Sequence, residues 1–372
     1  MWRRDIWGGS RAGDSILTEA VCGAEQDAFI RCCYTTVIII IDNSSRPDSS
    51  YYTGSDSGNN RKYHVITDYF PAEYRVKKSI ARNAREILHF LSVELGERTL
   101  RRYENLEGAA RFIRERFADG GNPVIDEDYQ VEGRRVSNIR TEIPGSGSPE
   151  GIILIGAHYD TIEDTPGADD NATGIAGLLE LFRLLSPFRF KRTLRFVAFT
   201  LEEPPYFSGD NMGSMVCARC AREREDNIEL MICLEMLGYA NRRYEQNVPF
   251  RDMAKHLPRR GDFLAVVSLP SSAPHTYAWK QVYNRFSRRE IVDIVGPSSI
   301  PGISHSDHYS FNRHGYPAIM LTDTAFYRNR NYHTGEDTID TINFKFLAEH
   351  VLNSFNTIRV LADCDEIVPL HC

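Results

Sequence analysis

Five short apolar runs limit the kinds of fold that this chain can adopt. Each is four to seven residues long, and Ile, Val and Leu dominate them. Short runs that are apolar throughout are typical of strands buried on both faces of a sheet. The runs are Ile152–Ile155, Leu194–Thr200, Leu230–Leu234, Phe263–Leu269 and Ala318–Leu321.

Segments with a helical spacing of apolar residues surround and separate these runs. Alternation of buried strands with helices is typical of one sheet covered by helices on both sides. The sequence therefore predicts a three-layer α/β/α sandwich with a central mixed, mostly parallel sheet. The predicted helices are Lys77–Leu95, Asn105–Phe117, Gly174–Leu185, Asn211–Arg224, Trp279–Phe286 and Phe344–Leu361.

The first part of the chain lacks such a pattern. The stretch SSRPDSSYYTGSDSGNN is rich in Ser, Gly, Asn and Asp, as flexible linkers are. We therefore expect residues 1–64 to form a poorly patterned leader and linker, and residues 65–372 to form the folded domain. Within the leader, Val37–Ile41 is a candidate for an added strand.

Composition excludes some classes of function. The net charge of −7 and the pI near 5.9 argue against a nucleic-acid-binding protein, which is usually basic. No apolar stretch approaches the roughly 18 residues of a membrane-spanning helix, and no signal peptide is recognisable. We therefore expect a protein that stays in the cytoplasm, with export only if the true start site differs.

The eight cysteines show no disulfide framework. Cys217 and Cys220 form a CxxC pair in a helical stretch, but a zinc ribbon needs a second pair. We therefore expect mostly buried, reduced thiols with a structural role.

The stretch GAHYDTIEDTPGADDNATG, which joins the first apolar run to a helix, is unusually acidic. It holds five acidic residues and one His. Like charges held close together repel each other, so this loop predicts a positively charged partner. Capping of the next helix by Asp169 or Asp170 accounts for only one of these carboxylates.

Other polar residues follow the ends of the predicted strands. The carboxyl ends of parallel strands meet at one edge of an open α/β sheet, where sites form. His and carboxylate ligands suit zinc, and two metal ions can share a bridging carboxylate. The residues expected at this edge are His158, Asp160, Asp169, Asp170, Glu202, Glu203, Glu235 and His333.

Adjacent residues on an extended segment point in opposite directions. One carboxylate of the Glu202–Glu203 pair can therefore hold metal while the other acts as a general base. The HxD arrangement of His158 and Asp160 fits a metal ligand supported by a neighbouring carboxylate.

Five segments together resemble the co-catalytic zinc exopeptidases, a family that includes bacterial leucyl aminopeptidase, aminopeptidase Y and glutamate carboxypeptidase. The resemblance extends from about Leu91 to Val360. The segments occur in the family's order, and they are GAHYDT, PGADDNATG, FTLEE, SDHYSF with HGYPA, and YHTGEDTID.

The resemblance implies a zinc exopeptidase domain in residues 65–372 that acts on peptide or aminoacyl substrates. It implies that Asp170 bridges two zinc ions, that Glu202 is the general base, and that Tyr332 donates its hydroxyl to the reaction intermediate. It further implies that His158 and Glu235 hold one zinc, that Glu203 and His333 hold the other, that Asp160 supports His158, and that Asp307 lies near the substrate.

Glu235 departs from the family pattern, which usually has Asp at this position. Glu is one methylene longer, so it either ligates after a local shift or leaves the second metal weakly bound. We therefore expect two zinc ions, or one if Glu235 is not a ligand.

Three functions are compatible with these residues. An aminopeptidase is favoured over a one-zinc glutaminyl cyclase because those cyclases usually differ at the positions of Asp169 and Tyr332. The third, an inactive peptidase-like binding module, usually lacks ligands or the base, and this chain keeps them. Loops such as Tyr239–Arg260 and Pro270–Trp279 are expected to shape the substrate pocket, and the oligomeric state is left open.

Overall fold

The computed structural model describes residues 69–146, 151–288 and 291–368, together with four short strands in the first 65 residues. Contacts within the chain divide it into two compact units, residues 1–75 and 76–372.

The first unit holds a small antiparallel sheet. Its strand order is β1-β2-β4-β3. Of the candidate strand Val37–Ile41, only Ile39–Ile40 lies within the described residues, and it is β2 of this small sheet. The strands are β1 (Ile16–Leu17), β2 (Ile39–Ile40), β3 (Tyr52–Ser55) and β4 (Lys62–Val65).

The second unit is built on an eight-stranded sheet of order β13-β12-β14-β9-β7-β8-β6-β5. Four of its seven neighbouring pairs are parallel, including those that join β14, β9, β7 and β8 in the centre. The predicted mixed, mostly parallel sheet is therefore confirmed. Its strands are β5 (Val124–Val131), β6 (Arg134–Ile143), β7 (Ile152–His158), β8 (Thr193–Phe199), β9 (Ile228–Glu235), β12 (Ala265–Ser268), β13 (Val292–Val295) and β14 (Ala318–Thr322).

Seven α-helices occur in the described residues, and none of them is long and apolar enough to cross a membrane. A π-helical segment, His89–Leu95, continues the first helix. A two-stranded ribbon, β10 (Asn241–Glu245) with β11 (Arg260–Gly261), lies between β9 and β12. The helices are α1 (Tyr69–Leu88), α2 (Tyr103–Ala118), α3 (Gly174–Leu185), α4 (Gly213–Glu223), α5 (Ala273–Tyr283), α6 (His308–Arg313) and α7 (Phe344–Asp363).

The strands alternate between two apolar cores, one on each face of the sheet. In β7, Ile153 and Ile155 pack into the core formed with helices such as α2, α3 and α7. Ile152 and Leu154 pack into a second core with residues of α4 and α6. Successive side chains of a strand point to opposite faces, so both faces are covered by helices. The predicted three-layer sandwich is confirmed.

The apolar pattern did not predict β5 and β6. β5 lies at the edge of the sheet, exposes or half-exposes most of its side chains and carries several acidic residues, and β6 is its inner neighbour. The two pair antiparallel around Glu132 and Gly133, both with positive φ, as a tight hairpin turn requires. An edge strand with polar faces gives no run of apolar residues.

Two predicted helix boundaries were wrong. The helix predicted from Lys77 begins at Tyr69, and the helix predicted over Trp279–Phe286 spans Ala273–Tyr283. In the second case Pro274 stands in the first turn, where its missing N–H has no intrahelical partner to lose.

Candidate metal centre

The predicted polar residues meet at the carboxyl edge of the central parallel strands. β7 ends at His158 and β9 ends at Glu235, while Glu202 lies three residues beyond the end of β8. His158 is paired with Phe199 across β7 and β8, so these strands end at the same level. The register of the sheet therefore brings the side chains that follow these strand ends close together.

His158 lies at the centre of this cluster and is almost fully buried. Its Nδ1 atom is 3.4 Å from an oxygen of Asp160. Its Nε2 atom is 3.3 Å from Oδ1 of Asp170 and 3.4 Å from Oε2 of Glu235. One ring nitrogen thus faces a supporting carboxylate, and the other faces two candidate ligands.

The two carboxylate oxygens of Asp170 face two different imidazoles. Oδ1 is 3.3 Å from Nε2 of His158, and Oδ2 is 3.2 Å from Nε2 of His333. Glu203 reaches the second imidazole as well, with Oε2 at 3.3 Å from Nε2 of His333. This is the arrangement that a bridging carboxylate requires.

Hydrogen bonds to a neighbouring carboxylate hold the backbone around Asp170. Gly167, which has φ of +59°, begins the irregular helical turn Ala168–Thr173 that carries Asp170. The carboxylate of Asp337 accepts hydrogen bonds from the backbone N–H groups of Asp169, at 2.9 Å, and Asp170, at 3.0 Å. Asp337 belongs to the segment YHTGEDTID, so this segment supplies both His333 and a backbone anchor.

Asp160 also organises the backbone of the glutamate pair. Its Oδ1 accepts a hydrogen bond from the N–H of Glu202, and its Oδ2 accepts one from the N–H of Glu203, each at 3.0 Å. Asp160 therefore contacts His158 and both glutamates. Glu202 itself lies somewhat apart, with Oε2 at 3.9 Å from Nε2 of His158.

Tyr332 and Asp307 border the cluster. The ring of Tyr332 stacks on that of His333, with centroids 3.7 Å apart. Asp307 is fully buried, and neither of its carboxylate oxygens has a hydrogen-bond partner among the described residues. Burial raises the pKa of Asp307 to about 7.

The cluster is strongly coupled electrostatically. Burial lowers the pKa of His333, but the neighbouring carboxylates of Asp170 and Glu203 outweigh it and raise that pKa to about 10. Burial and the nearby charge of Asp170 raise the pKa of Glu203 to about 8, and burial raises that of Glu202 well above its usual value. Burial opposes ionisation of Asp170, yet the two imidazoles hold its pKa below the usual value. The raised pKa values of Glu202 and Glu203 are those of carboxylates that lack enough positive charge around them.

The donor set fits a pair of divalent cations. Two groups of ligand atoms, each within 4.8 Å of one another, share Asp170. Oδ1 of Asp170 and Nε2 of His333 are buried and have no hydrogen-bond partner among the described residues, as expected of metal ligands. The groups are His158, Asp170 and Glu235, and Asp170, Glu203 and His333; a third group joins His158, Glu202 and Glu203.

An apolar pocket opens beside the cluster, with Glu235 and Tyr332 among its lining residues. It holds about 670 Å³ of empty space, counting its open mouth. No Lys, Arg or Asp of the described residues lines it. The loop Tyr239–Arg260 contributes to the wall of this pocket, and the segment Pro270–Trp279 does not. The apolar wall includes Met253, Leu257, Val267, Ile294, Ile300 and Met320.

Sequence reasoning gave no role to two residues that support the cluster. Ser306 is one, since its hydroxyl contacts Glu235. Asp337 is the other, although it stands only four residues after His333. Both lie within motifs that resemble the family's. Sequence spacing, however, does not reveal which residues donate or accept hydrogen bonds to a ligand or its backbone.

Comparison with known proteins identifies the family of the chain. The model of a protein family, peptidase family M28, matches residues 138–358. An uncharacterized protein of Escherichia coli, YfbL, is 38% identical over 273 residues, which cover 71% of this chain and 83% of that protein. A probable aminopeptidase of Saccharomyces cerevisiae, YDR415C, is 26% identical over 57% of this chain, but the match spans only 54% of the yeast protein.

A solved structure shows the same fold. The zinc aminopeptidase BSAP from Bacillus subtilis superposes with a TM-score of 0.63 and covers 77% of this chain and 97% of its own, at 14% sequence identity. The family model spans more than half of the sequence and includes the strands and loops that carry His158, Asp170, Glu203 and His333. The chain is a member of peptidase family M28.

Proposed function

We propose that this protein is a zinc-dependent aminopeptidase that removes apolar residues from the amino terminus of peptides. Residues 65–372 form its catalytic domain. One zinc is held by His158, Asp170 and Glu235, and the other by Asp170, Glu203 and His333. The observation that carries the proposal is the position of Asp170, whose two oxygens face different imidazoles at 3.3 and 3.2 Å.

The zinc ions supply, when bound, a water of lowered pKa and a positive charge that polarises the scissile carbonyl. Glu202 accepts a proton from the attacking water and delivers it to the leaving amine as the C–N bond breaks. Burial raises the pKa of Glu202, which favours its holding that proton between the two steps. The hydroxyl of Tyr332 donates a hydrogen bond to the carbonyl oxygen that gains negative charge.

Glu235 supports the proposal of two ions. Despite its extra methylene, its Oε2 atom lies 3.4 Å from Nε2 of His158, in the same group as Asp170. The longer side chain therefore reaches the position that a ligand needs. A single-zinc cyclase would need only one of the two ligand groups, so the presence of the second group favours two ions.

The pocket beside Glu235 supports the substrate class. Apolar side chains line most of it, so burial of an apolar side chain there is favourable by roughly 25 cal/mol per Å². An acidic side chain would lose its hydration without gaining a lysine or arginine partner among the described residues. Among the same residues, a basic side chain would find only the carboxylate of Glu235, which is proposed to hold zinc. The yeast relative that is named a probable aminopeptidase supports an exopeptidase that acts from the amino end.

Metal analysis combined with a substrate panel tests this function. The purified full chain should contain close to two zinc ions, and it should hydrolyse Leu-, Met- and Phe-anilides faster than Lys- and Glu-anilides. An N-acetylated Leu-anilide is the matched control and should not be cleaved. One zinc per chain together with cyclisation of Gln-anilide would show a cyclase instead, and two zinc ions without hydrolysis of any substrate would show a binding module.

A further inference from the structure

Arg98 is a fully buried arginine in the connection between the π-helical segment His89–Leu95 and helix α2. All three guanidinium nitrogens donate hydrogen bonds, and the acceptors among the described residues are backbone carbonyl oxygens. Nε donates to Tyr159 at 2.7 Å, Nη1 donates to Leu91, Gly96 and Pro166 at 2.8 Å each, and Nη2 donates to Gly167 at 2.9 Å.

Two of these carbonyls belong to residues close in sequence to candidate metal ligands. Tyr159 lies between His158 and Asp160, and Gly167 begins the turn that carries Asp170. The guanidinium thus holds both ends of the acidic loop, residues 159–167. The backbone of Arg98 holds the middle, since its N–H donates to Oγ1 of Thr161 at 3.0 Å and its carbonyl accepts from the N–H of Thr161 at 3.1 Å.

The loop packs tightly on this arginine. A Cβ atom placed on Gly167 would lie 2.9 Å from Nη2 of Arg98 and 2.3 Å from Cγ2 of Thr161. The same Cβ would lie 2.4 Å from the backbone oxygen of Asp170. The contacts leave little room for the loop to move relative to Arg98 without movement of Asp170.

Arg98 also supplies positive charge beneath the carboxylates. Burial lowers its pKa to about 10, and the charges of Asp160 and Asp337 oppose that change. The guanidinium therefore remains protonated at neutral pH. Its charge offsets part of the repulsion among the acidic side chains.

We propose that Arg98 is a positioning residue of the metal centre, which clamps both ends of loop 159–167 so that His158 and Asp170 are in place before zinc binds. The proposal rests on the proposed zinc site. Lysine cannot replace this arginine. Its ammonium group has three N–H donors at one point, whereas the guanidinium holds five N–H donors in a rigid plane.

Zinc affinity, measured by competition with a chromogenic chelator, tests the clamp in the full chain. Arg98→Lys keeps the charge and should weaken zinc binding by about 10–100-fold, the range found when partners of metal ligands are removed. The absorption spectrum of the cobalt(II)-substituted variant should change as well, because the ligand geometry changes. Zinc affinity and a cobalt spectrum equal to those of the wild type would overturn the proposal.

Arg192→Lys is the matched control. Arg192 is also buried and also donates to backbone carbonyls, those of Leu361, Cys364 and Asp365, but it precedes β8 at the opposite edge of the sheet. This variant should lose stability and keep the zinc affinity within about twofold. An equal loss of affinity in both variants would mean that general destabilisation is the cause, and would also overturn the proposal.

A second variant covers failure of Arg98→Lys to fold. Thr161→Val removes the side-chain acceptor for the Arg98 N–H at nearly constant size, and it should weaken zinc binding by at least about threefold. Unchanged zinc affinity in that variant would then decide against the clamp. Absence of zinc from the wild-type chain would instead overturn the proposed function, so the two failures are distinguishable.

Discussion

The hydroxyl of Ser306 donates a hydrogen bond of 2.6 Å to Oε2 of Glu235. This oxygen is the one that lies 3.4 Å from Nε2 of His158. The Sγ atom of Cys233 lies 3.0 Å from the Ser306 hydroxyl and completes a buried chain of polar contacts. The serine therefore fixes the rotamer of a glutamate that is longer than the aspartate usual in the family.

Removal of this hydroxyl should weaken one of the two zinc sites. We expect Ser306→Ala to lower the affinity for one zinc by about tenfold, because Glu235 loses the partner that orients it. Stepwise zinc titration with a chelator measures the two affinities separately. Ser310→Ala is the control, since its buried hydroxyl bonds to Ser214 and not to a ligand. Equal affinities in the two variants would contradict the role of Ser306.

Glu202→Gln should abolish turnover while zinc stays bound. The amide keeps the shape of the side chain but cannot accept the proton of the attacking water. We expect a fall in kcat of about 10²–10⁴-fold, the usual contribution of a general base. Glu163→Gln is the control, because Glu163 is an exposed carboxylate of loop 159–167. If Glu202→Gln keeps more than a tenth of the wild-type kcat, Glu202 is not the base.

Ile300→Phe should change which amino-terminal residue is preferred. Ile300 is a half-buried residue of the pocket wall, and a ring there takes up space that a large side chain would fill. We expect the ratio of kcat/KM for Leu-anilide to that for Ala-anilide to fall about tenfold, in line with 1–3 kcal/mol per misplaced group. Tyr277→Phe, at an exposed position outside the pocket, should leave the ratio unchanged. An unchanged ratio in Ile300→Phe would place the substrate side chain elsewhere.

Metal removal should destabilise the folded chain. Without cations the buried carboxylates repel one another, and a ligand that binds only the folded state adds about 4 kcal/mol at a concentration 1,000 times its Kd. We expect EDTA to lower Tm and to stop hydrolysis, and zinc to restore both. Magnesium is the control cation, since it prefers sites made of oxygen ligands. A Tm that does not respond to EDTA would argue against bound metal.

His308 should make stability sensitive to acid. Its Nε2 atom donates to the carbonyl of Ile303 at 2.7 Å, while its buried Nδ1 has no partner among the described residues. Burial lowers its pKa from 6.5 to about 4, so the unfolded chain takes up a proton first as the pH falls. The folded state therefore loses stability between about pH 6.5 and pH 4, by on the order of 3 kcal/mol in total.

His308→Gln should remove this part of the acid dependence. Urea unfolding of the metal-free chain at several pH values gives the free energy of unfolding for each variant. The difference between wild type and His308→Gln should change steadily from pH 7 to pH 4. His89→Gln, at an exposed imidazole, serves as the control. Parallel curves for wild type and His308→Gln would contradict the prediction.

The central part of the fold could be predicted because its strands are buried on both faces. Such strands read as continuous apolar runs, and the polar residues that follow them, such as His158 and Glu202, stand out against that background. The edge strand β5 escaped prediction because most of its side chains are exposed or half-exposed and polar. The neighbouring strand β6 escaped because it buries polar residues such as Ser137 and Asn138 among its apolar ones. Their sequence contains no run that distinguishes them from a loop.

The candidate ligands and one support, Asp160, could be named from the sequence, but the other supports could not. His158 and His333 are far apart in the chain, and only the resemblance to the family's motifs predicted that they belong to one site. The bond from Ser306 to Glu235 and the clamp of Arg98 depend on distances between side chains and backbone atoms. No residue spacing encodes those distances.

The ribbon of β10 and β11 belongs to a connection that projects residues such as Met253 and Leu257 over the pocket. This connection leaves the sheet just after Glu235 and returns at β12, and between these points it contributes none of the candidate ligands. The connection thus adds wall residues to the pocket without adding a candidate ligand. Its length and sequence can therefore vary between relatives without altering the residues that would hold the metal ions.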